Sequence, residues 1–249
     1  MAGTLYVIGI GPGDPELLTL KAARILGQVG AICVPKGKEE GASLALSIVR
    51  KAVSIEGKEV VEAFFPMKKA DKAANGRELN ARWDETVAAM LGRLERGVDM
   101  AFITIGDPAV YSTFFYLYER LLEASPGLRI EIIPGVSSIN ASASRARISL
   151  GLGEERIAIL PAACLDSLGV VLEQFDTVVL MKVYKVFDRV VATLADFGLL
   201  ERAVCVSRVG MADEFVSTDL AGLKMRDLDY FSLVIVKKTK GAYDWQKRG

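Results

Sequence analysis

The sequence predicts an α/β protein of two α/β domains, residues 1–136 and 137–249. Three observations predict it. Short apolar, β-branched-rich runs recur along the chain, mostly separated by helix-length intervals. The triplet Gly-Asp-Pro occurs twice, as Gly13-Asp14-Pro15 and Gly106-Asp107-Pro108, each time closing such a run ahead of a segment with helical periodicity. With 249 residues and 51% hydrophobic content, the chain has the mass for one large core or two smaller ones.

In the first half the strand candidates are Leu5–Ile10, Ala31–Val34, Val60–Phe64, Met100–Ile105 and Arg129–Ile133. Strands so spaced need crossover connections, which gives a five-stranded parallel sheet with helices on both faces. The first helix is expected after Asp14, with Pro15 at its first position, Glu16 in the favourable first turn, and Leu17, Leu20, Ile25 and Leu26 on a broad buried face. This half closes near Pro134-Gly135. A helical stretch from Ser138 then leads to strand candidates Arg156–Leu160, Thr177–Met181, Ala203–Arg208 and Phe231–Lys237. Between them, Asp188–Phe197 carries Val190, Val191, Leu194 and Phe197 at helical spacing and stops at Gly198, a suitable C-cap. The segments KGKEEGA, between Pro35 and Ser43, and MKKADKAAN, between Pro66 and Gly76, are polar and basic-leaning. They read as mobile loops with solvated faces, and their position after strand ends leaves open a role over an active cleft.

Lys+Arg and Asp+Glu both total 31, so no general attraction to nucleic acid or to an anionic membrane is expected. Cys33, Cys164 and Cys205 lie far apart and read as core or free thiols. No basic n-region precedes an apolar stretch at the N-terminus and no run of 18 apolar residues occurs, so a cytoplasmic soluble protein is expected. The absence of histidine removes Ser-His-Asp and Cys-His nucleophile pairs and the usual histidine-based zinc sites.

Gly9-Ile10-Gly11-Pro12-Gly13 after the first strand invites comparison with a dinucleotide fingerprint, and fails it. The sixth position is Asp14, an anion where pyrophosphate would sit, and Pro12 lacks a backbone donor. No P-loop motif is present either. The glycine loops therefore suit a ligand of little negative charge, lying outside the carboxyl ends of parallel strands.

VIGIGPGDPELLTLKA, GDPAVYSTF, PGVSSINASASR and SLVIVKK resemble successive motifs of the tetrapyrrole methylases over nearly the whole chain. YSTFFYLYERL, Phe65-Pro66-Met67, GEERIAILPA and VVLMKVY look like the branch that methylates carbon 20 of precorrin-2 or its cobalt-containing counterpart, cobalt-factor II. The resemblance implies a mixed sheet in the C-terminal domain, a cofactor cleft between the domains, and S-adenosyl-L-methionine as methyl donor, with no protein-bound metal. It implies cofactor contacts at Pro12, Ile105, Gly106, Asp107, Val110, Ser137, Ser138 and Met181, and in a more variable loop at Ala212 and Asp213. A methionine ending a strand also reads as core, and that alternative stays open for Met181.

Methyl transfer to an electron-rich meso carbon needs alignment rather than a nucleophilic side chain. Asp107 and Tyr111 are the candidates near the reacting carbon, with a helix N-cap and a packed aromatic as their respective structural alternatives. The eight carboxylates of such a substrate call for clustered cations, among which Lys36, Lys38, Lys68, Lys69, Lys182, Lys185 and Arg208 stand at strand ends or adjoining loops. A homodimer is expected by resemblance. Competing readings are methylation at another tetrapyrrole carbon, a macromolecular substrate as in the diphthine and ribosomal-RNA branches, a non-catalytic cofactor-binding regulator, and a nicotinamide oxidoreductase.

Overall fold

The structure is a computed structural model that describes residues 2–37, 43–65, 75–163 and 167–239. The chain divides into two compact units, Met1–Ser137 and Ser138–Gly249.

In the first unit the strands are β1 (Leu5–Gly9), β2 (Ala31–Lys36), β3 (Glu59–Phe64), β4 (Met100–Thr104) and β5 (Ile130–Ile133). They form one sheet in the order β3-β2-β4-β1-β5, every pair parallel, with Leu5 opposite both Met100 and Ile130. The helices are α1 (Leu20–Gln28), α2 (Leu44–Ala52), α3 (Asn75–Glu95) and α4 (Phe115–Ala124). Strand alternation sends Leu5, Val7, Cys33 and Phe102 to one face, where they pack with Met90 and Leu94 of α3 and Leu117 and Leu121 of α4. Ile8, Ile32, Val34 and Ile103 go to the other, against Ile25 and Leu26 of α1 and Ile48 and Val49 of α2. Burial on both faces explains why these strands read as continuous apolar runs.

The start of α1 departs from expectation. Asp14 caps only a single 3-10 turn, Pro15–Leu17, after which Leu18 is extended. The helix proper begins again at Leu20, where Thr19 accepts a hydrogen bond from the Ala22 amide. This restart turns Leu20 outward, 91% exposed, so it is not part of the buried face.

In the second unit α5 (Ser138–Arg145) precedes β6 (Ile157–Pro161), α6 (Leu168–Gln174), β7 (Thr177–Met181), α7 (Phe187–Asp196), β8 (Ala203–Ser207), β9 (Phe215–Ser217) and β10 (Ser232–Lys237). The sheet order is β6-β7-β10-β8-β9; β6 and β7 are parallel and the other pairs antiparallel, a mixed sheet. Leu168, Leu172, Phe187, Val190 and Leu194 cover one face of this sheet through Val178, Leu180, Cys205, Val234 and Val236. Helix α7 ends at Gly198 (φ +65°), whose amide donates to the Ala195 carbonyl while the Leu199 amide donates to that of Leu194, the paired bonds of a Schellman motif. Phe197, the last of the apolar residues at helical spacing, is 40% exposed. Strand β9 was not foreseen in the sequence.

Cys33 and Cys205 are buried free thiols, and burial pushes each up to about 12. Cys164 lies outside the described residues, as do most of the KGKEEGA and MKKADKAAN segments.

Candidate active site

Because the first sheet is parallel, the loops that leave β4, β1 and β5 emerge side by side at one end. Three glycines make them touch. A Cβ on Gly9 would stand 2.7 Å from both the Gly106 oxygen and the Gly135 nitrogen, and one on Gly135 would stand 2.5 Å from the Gly106 oxygen. Such separations are shorter than any side chain tolerates, so the three backbones meet without side chains between them. Gly11 and Gly106 form an isolated bridge, with the Gly106 amide donating to the Gly11 carbonyl at 2.8 Å.

The two Gly-Asp-Pro copies behave differently in this setting. Asp14 accepts one backbone bond, from the Glu16 amide at 2.9 Å. Asp107 makes the same local bond, to the Ala109 amide at 2.7 Å, and its second oxygen accepts from the Gly135 amide at 3.0 Å. No helix follows at once: the chain turns through Tyr111, and α4 begins only at Phe115. The helix-capping alternative for Asp107 is thereby replaced by a turn closure plus a link to the loop after β5. Tyr111 is 46% exposed and stands at φ +53°. Beneath it Ser112 donates to buried Thr104 at 3.4 Å and accepts from the Phe114 amide at 3.2 Å.

Pro12, Ile105, Gly106, Asp107, Val110 and Ser137 thus lie on three neighbouring loops of the first unit. The roles of Gly9 and Gly135 were missed in the sequence, although a glycine just beyond or at the end of each of three neighbouring strands was the available signal.

Ser138, Met181, Ala212 and Asp213 belong to the second unit. Ser138 opens α5, and half-buried Met181 ends β7, its carbonyl accepting from the Ala162 amide at 2.8 Å. Ala212 and Asp213 are exposed on the loop after β8. That loop is held at both ends. The Arg208 guanidinium donates to Asp213 and to Asp229, each at 2.6 Å, and Glu214 accepts from Arg145 and from the Gly210 amide. The bond to Asp213 is the foremost reason that the Arg208 pKa is raised.

These pairings describe where the charged candidates stand. Arg208 is engaged by two carboxylates of its own chain, and Asp213 directs its carboxylate at Arg208. Lys36 is likewise paired, with Glu62 at 3.0 Å. Lys182 and Lys185 carry their ammonium groups over the rings of Tyr230 and Tyr184, at 5.1 and 5.4 Å from the centroids. Lys38, Lys68 and Lys69 lie outside the described residues. Among the described residues no three of His, Cys, Asp and Glu gather in a way that would hold a metal ion, and no helix is long and apolar enough to cross a membrane.

A parallel sheet with glycine-built loops, followed by a mixed sheet, is the arrangement of a methylase class, and residues 4–223 match the tetrapyrrole (corrin/porphyrin) methylases: the chain belongs to that family. Within it, the chain is 39% identical over 240 residues to the cobalt-precorrin-2 C(20)-methyltransferase of Salmonella typhimurium, covering 96% of this chain and 98% of that relative. Its fold is that of a cobalt precorrin-4 methyltransferase, with a TM-score of 0.72 at 23% identity, covering 94% of each chain. The fold is shared also with a uroporphyrin-III C-methyltransferase from Thermus thermophilus complexed with S-adenosyl homocysteine, with a TM-score of 0.65 at 20% identity, covering 95% of this chain and 98% of that one.

Proposed function

We propose that the chain transfers a methyl group from S-adenosyl-L-methionine to carbon 20 of precorrin-2 or cobalt-factor II, in corrin biosynthesis. The observation that carries this reading is 39% identity, over 96% of the chain, to a C(20)-methyltransferase within a methylase family. The loops of the first unit fit the cofactor. Backbone meets backbone at Gly9, Gly106 and Gly135, which leaves main chain rather than side chains at the strand ends. Pro12 offers no amide to a phosphate, and the cofactor has none.

When bound, S-adenosyl-L-methionine supplies an electrophilic methyl group. Pro12, Ile105, Gly106, Val110 and Ser137 are proposed to hold it from the first unit, with Ser138, Met181, Ala212 and Asp213 as the contacts that the family likeness assigns to the second. The loop after β8 is already fastened by Arg208 and Glu214, so little ordering is left to occur on binding. Tyr111 is proposed to stand near the reacting carbon, its ring half exposed beside the second glycine loop. Lys182 and Lys185, whose ammonium groups lie over the rings of Tyr230 and Tyr184, are proposed to meet substrate carboxylates. The Lys182→Ala/Lys185→Ala double variant is expected to bind the tetrapyrrole about tenfold more weakly, and with a shallower salt dependence, than the parent. Titrations at two ionic strengths check this, and unchanged substrate affinity counts against the assignment.

A cytoplasmic homodimer without nucleic-acid or membrane partners completes the proposal, consistent with a formal charge of zero. Sedimentation tests the dimer. The function itself is tested by incubating the protein with labelled S-adenosyl-L-methionine and either precorrin-2 or cobalt-factor II, then assigning the methylated carbon by mass and NMR. Transfer to another carbon, or binding without transfer, would reject the reading.

A further inference from the structure

We propose that Asp107, a candidate near the reacting carbon, is a positioning residue that fastens two of the cofactor loops together and does not act on the reacting carbon itself. The inference rests on the methyltransferase reading above. Each oxygen of the Asp107 carboxylate accepts one backbone amide: Ala109, two residues on, and Gly135, 28 residues on. Asp14 shows what the local turn alone requires, one oxygen closing onto the amide two residues ahead. The contact to Gly135 is therefore what the second Gly-Asp-Pro adds.

The glycine junction brings that amide within reach. Gly135 lies so near Gly106 that no Cβ fits between them, and residue 107 follows directly. A carboxylate there gives charge-assisted bonds to both segments, roughly twice as strong as neutral ones. The result fixes Ile105, Gly106 and Val110 on one side relative to Ser137, two residues beyond Gly135, on the other. These are residues proposed to hold the cofactor. An accepting base needs an oxygen turned toward the proton it takes. Here each oxygen already accepts a main-chain amide, so the orientation of the carboxylate is set by the two loops.

Asp107→Asn keeps one acceptor oxygen and sets an N–H against the second amide, donor facing donor. The expected result is a Kd for S-adenosyl-L-methionine raised about tenfold or more by calorimetry. At saturating cofactor, kcat is expected to stay within about threefold of the parent, far from the roughly hundredfold or greater loss that removal of a general base brings. The pH–rate profile should keep its shape, and the Gly135 amide should exchange with deuterium faster in the cofactor-free protein. Asp107→Ser, whose hydroxyl supports the local turn but does not reach Gly135, should reproduce the rise in Kd and covers the case in which the amide variant fails to fold. An unchanged Kd with a hundredfold lower kcat, or unchanged exchange at Gly135, overturns the proposal. A parent protein that binds no S-adenosyl-L-methionine overturns the function reading instead, and the exchange measurement, which needs no cofactor, then decides the fastening by itself.

Discussion

Tyr111 occupies a backbone conformation that a bulky aromatic residue adopts at a cost of about 1–3 kcal/mol, and it does so with nearly half its surface exposed. Asn tolerates left-handed backbone far better. Tyr111→Asn should therefore raise stability by about 1 kcal/mol in urea unfolding while lowering methyl transfer; a less stable variant would show that the ring is structural. Lys182 and Arg208, at the ends of β7 and β8, share this conformation. None of the three was legible in the sequence, because neither Tyr, Lys nor Arg signals a positive φ. The local bond of Asp107 was legible in the Gly-Asp-Pro pattern, but its second partner lies 28 residues away and no local pattern points to it.

Two glycines show how differently an element depends on its punctuation. Gly198 ends α7 with φ +65°, and a Cβ there meets nothing within 4 Å. Gly198→Ala should cost only the conformational term, about 1 kcal/mol by thermal or urea unfolding, with methyl transfer intact. Gly135→Ala instead drives a Cβ against the Gly106 oxygen, so backbone must move; about 1–3 kcal/mol of stability and most cofactor affinity should be lost. Equal effects of the two substitutions would refute the distinction. The sequence showed Gly198 readily, since a glycine after a periodic apolar stretch is a local signal. It could not show the tertiary crowding at Gly135. The same limit explains α1, whose start was read at the stronger-looking Asp14 and Pro15 although Thr19 caps the helix. Strand β9, three residues long and only partly buried, carries too little alternation to be read at all.

Each unit has its own core, and among the described residues the charge most fully buried, Lys237, sits at one end of the second sheet. Lys237, 5% exposed at the end of β10, is paired with Glu155, which also accepts from the Leu152 amide and Thr239. The Lys237 bond is the leading reason that the Glu155 carboxyl is held near about 2, below its ordinary value of 4.5. A depressed carboxyl contributes stability that is fully present above pH 4.5 and is lost as pH falls toward about 2. Glu155→Gln should thus be less stable at neutral pH and show a flatter stability profile across that window, as urea midpoints measured through it would reveal. At this scale the sequence was most informative: five parallel strands followed from spacing, because crossover connections leave few alternatives. The glycine junction has a last consequence, for the order in which the chain becomes competent. It joins residues 9, 106 and 135, and β5, which brings the third, is an edge strand. A nascent chain released only as far as the loop after β4 has two of the three backbones and no amide for the far side of Asp107. Ligand competence therefore arrives late, with the docking of one short edge strand whose closure spans more than half the chain.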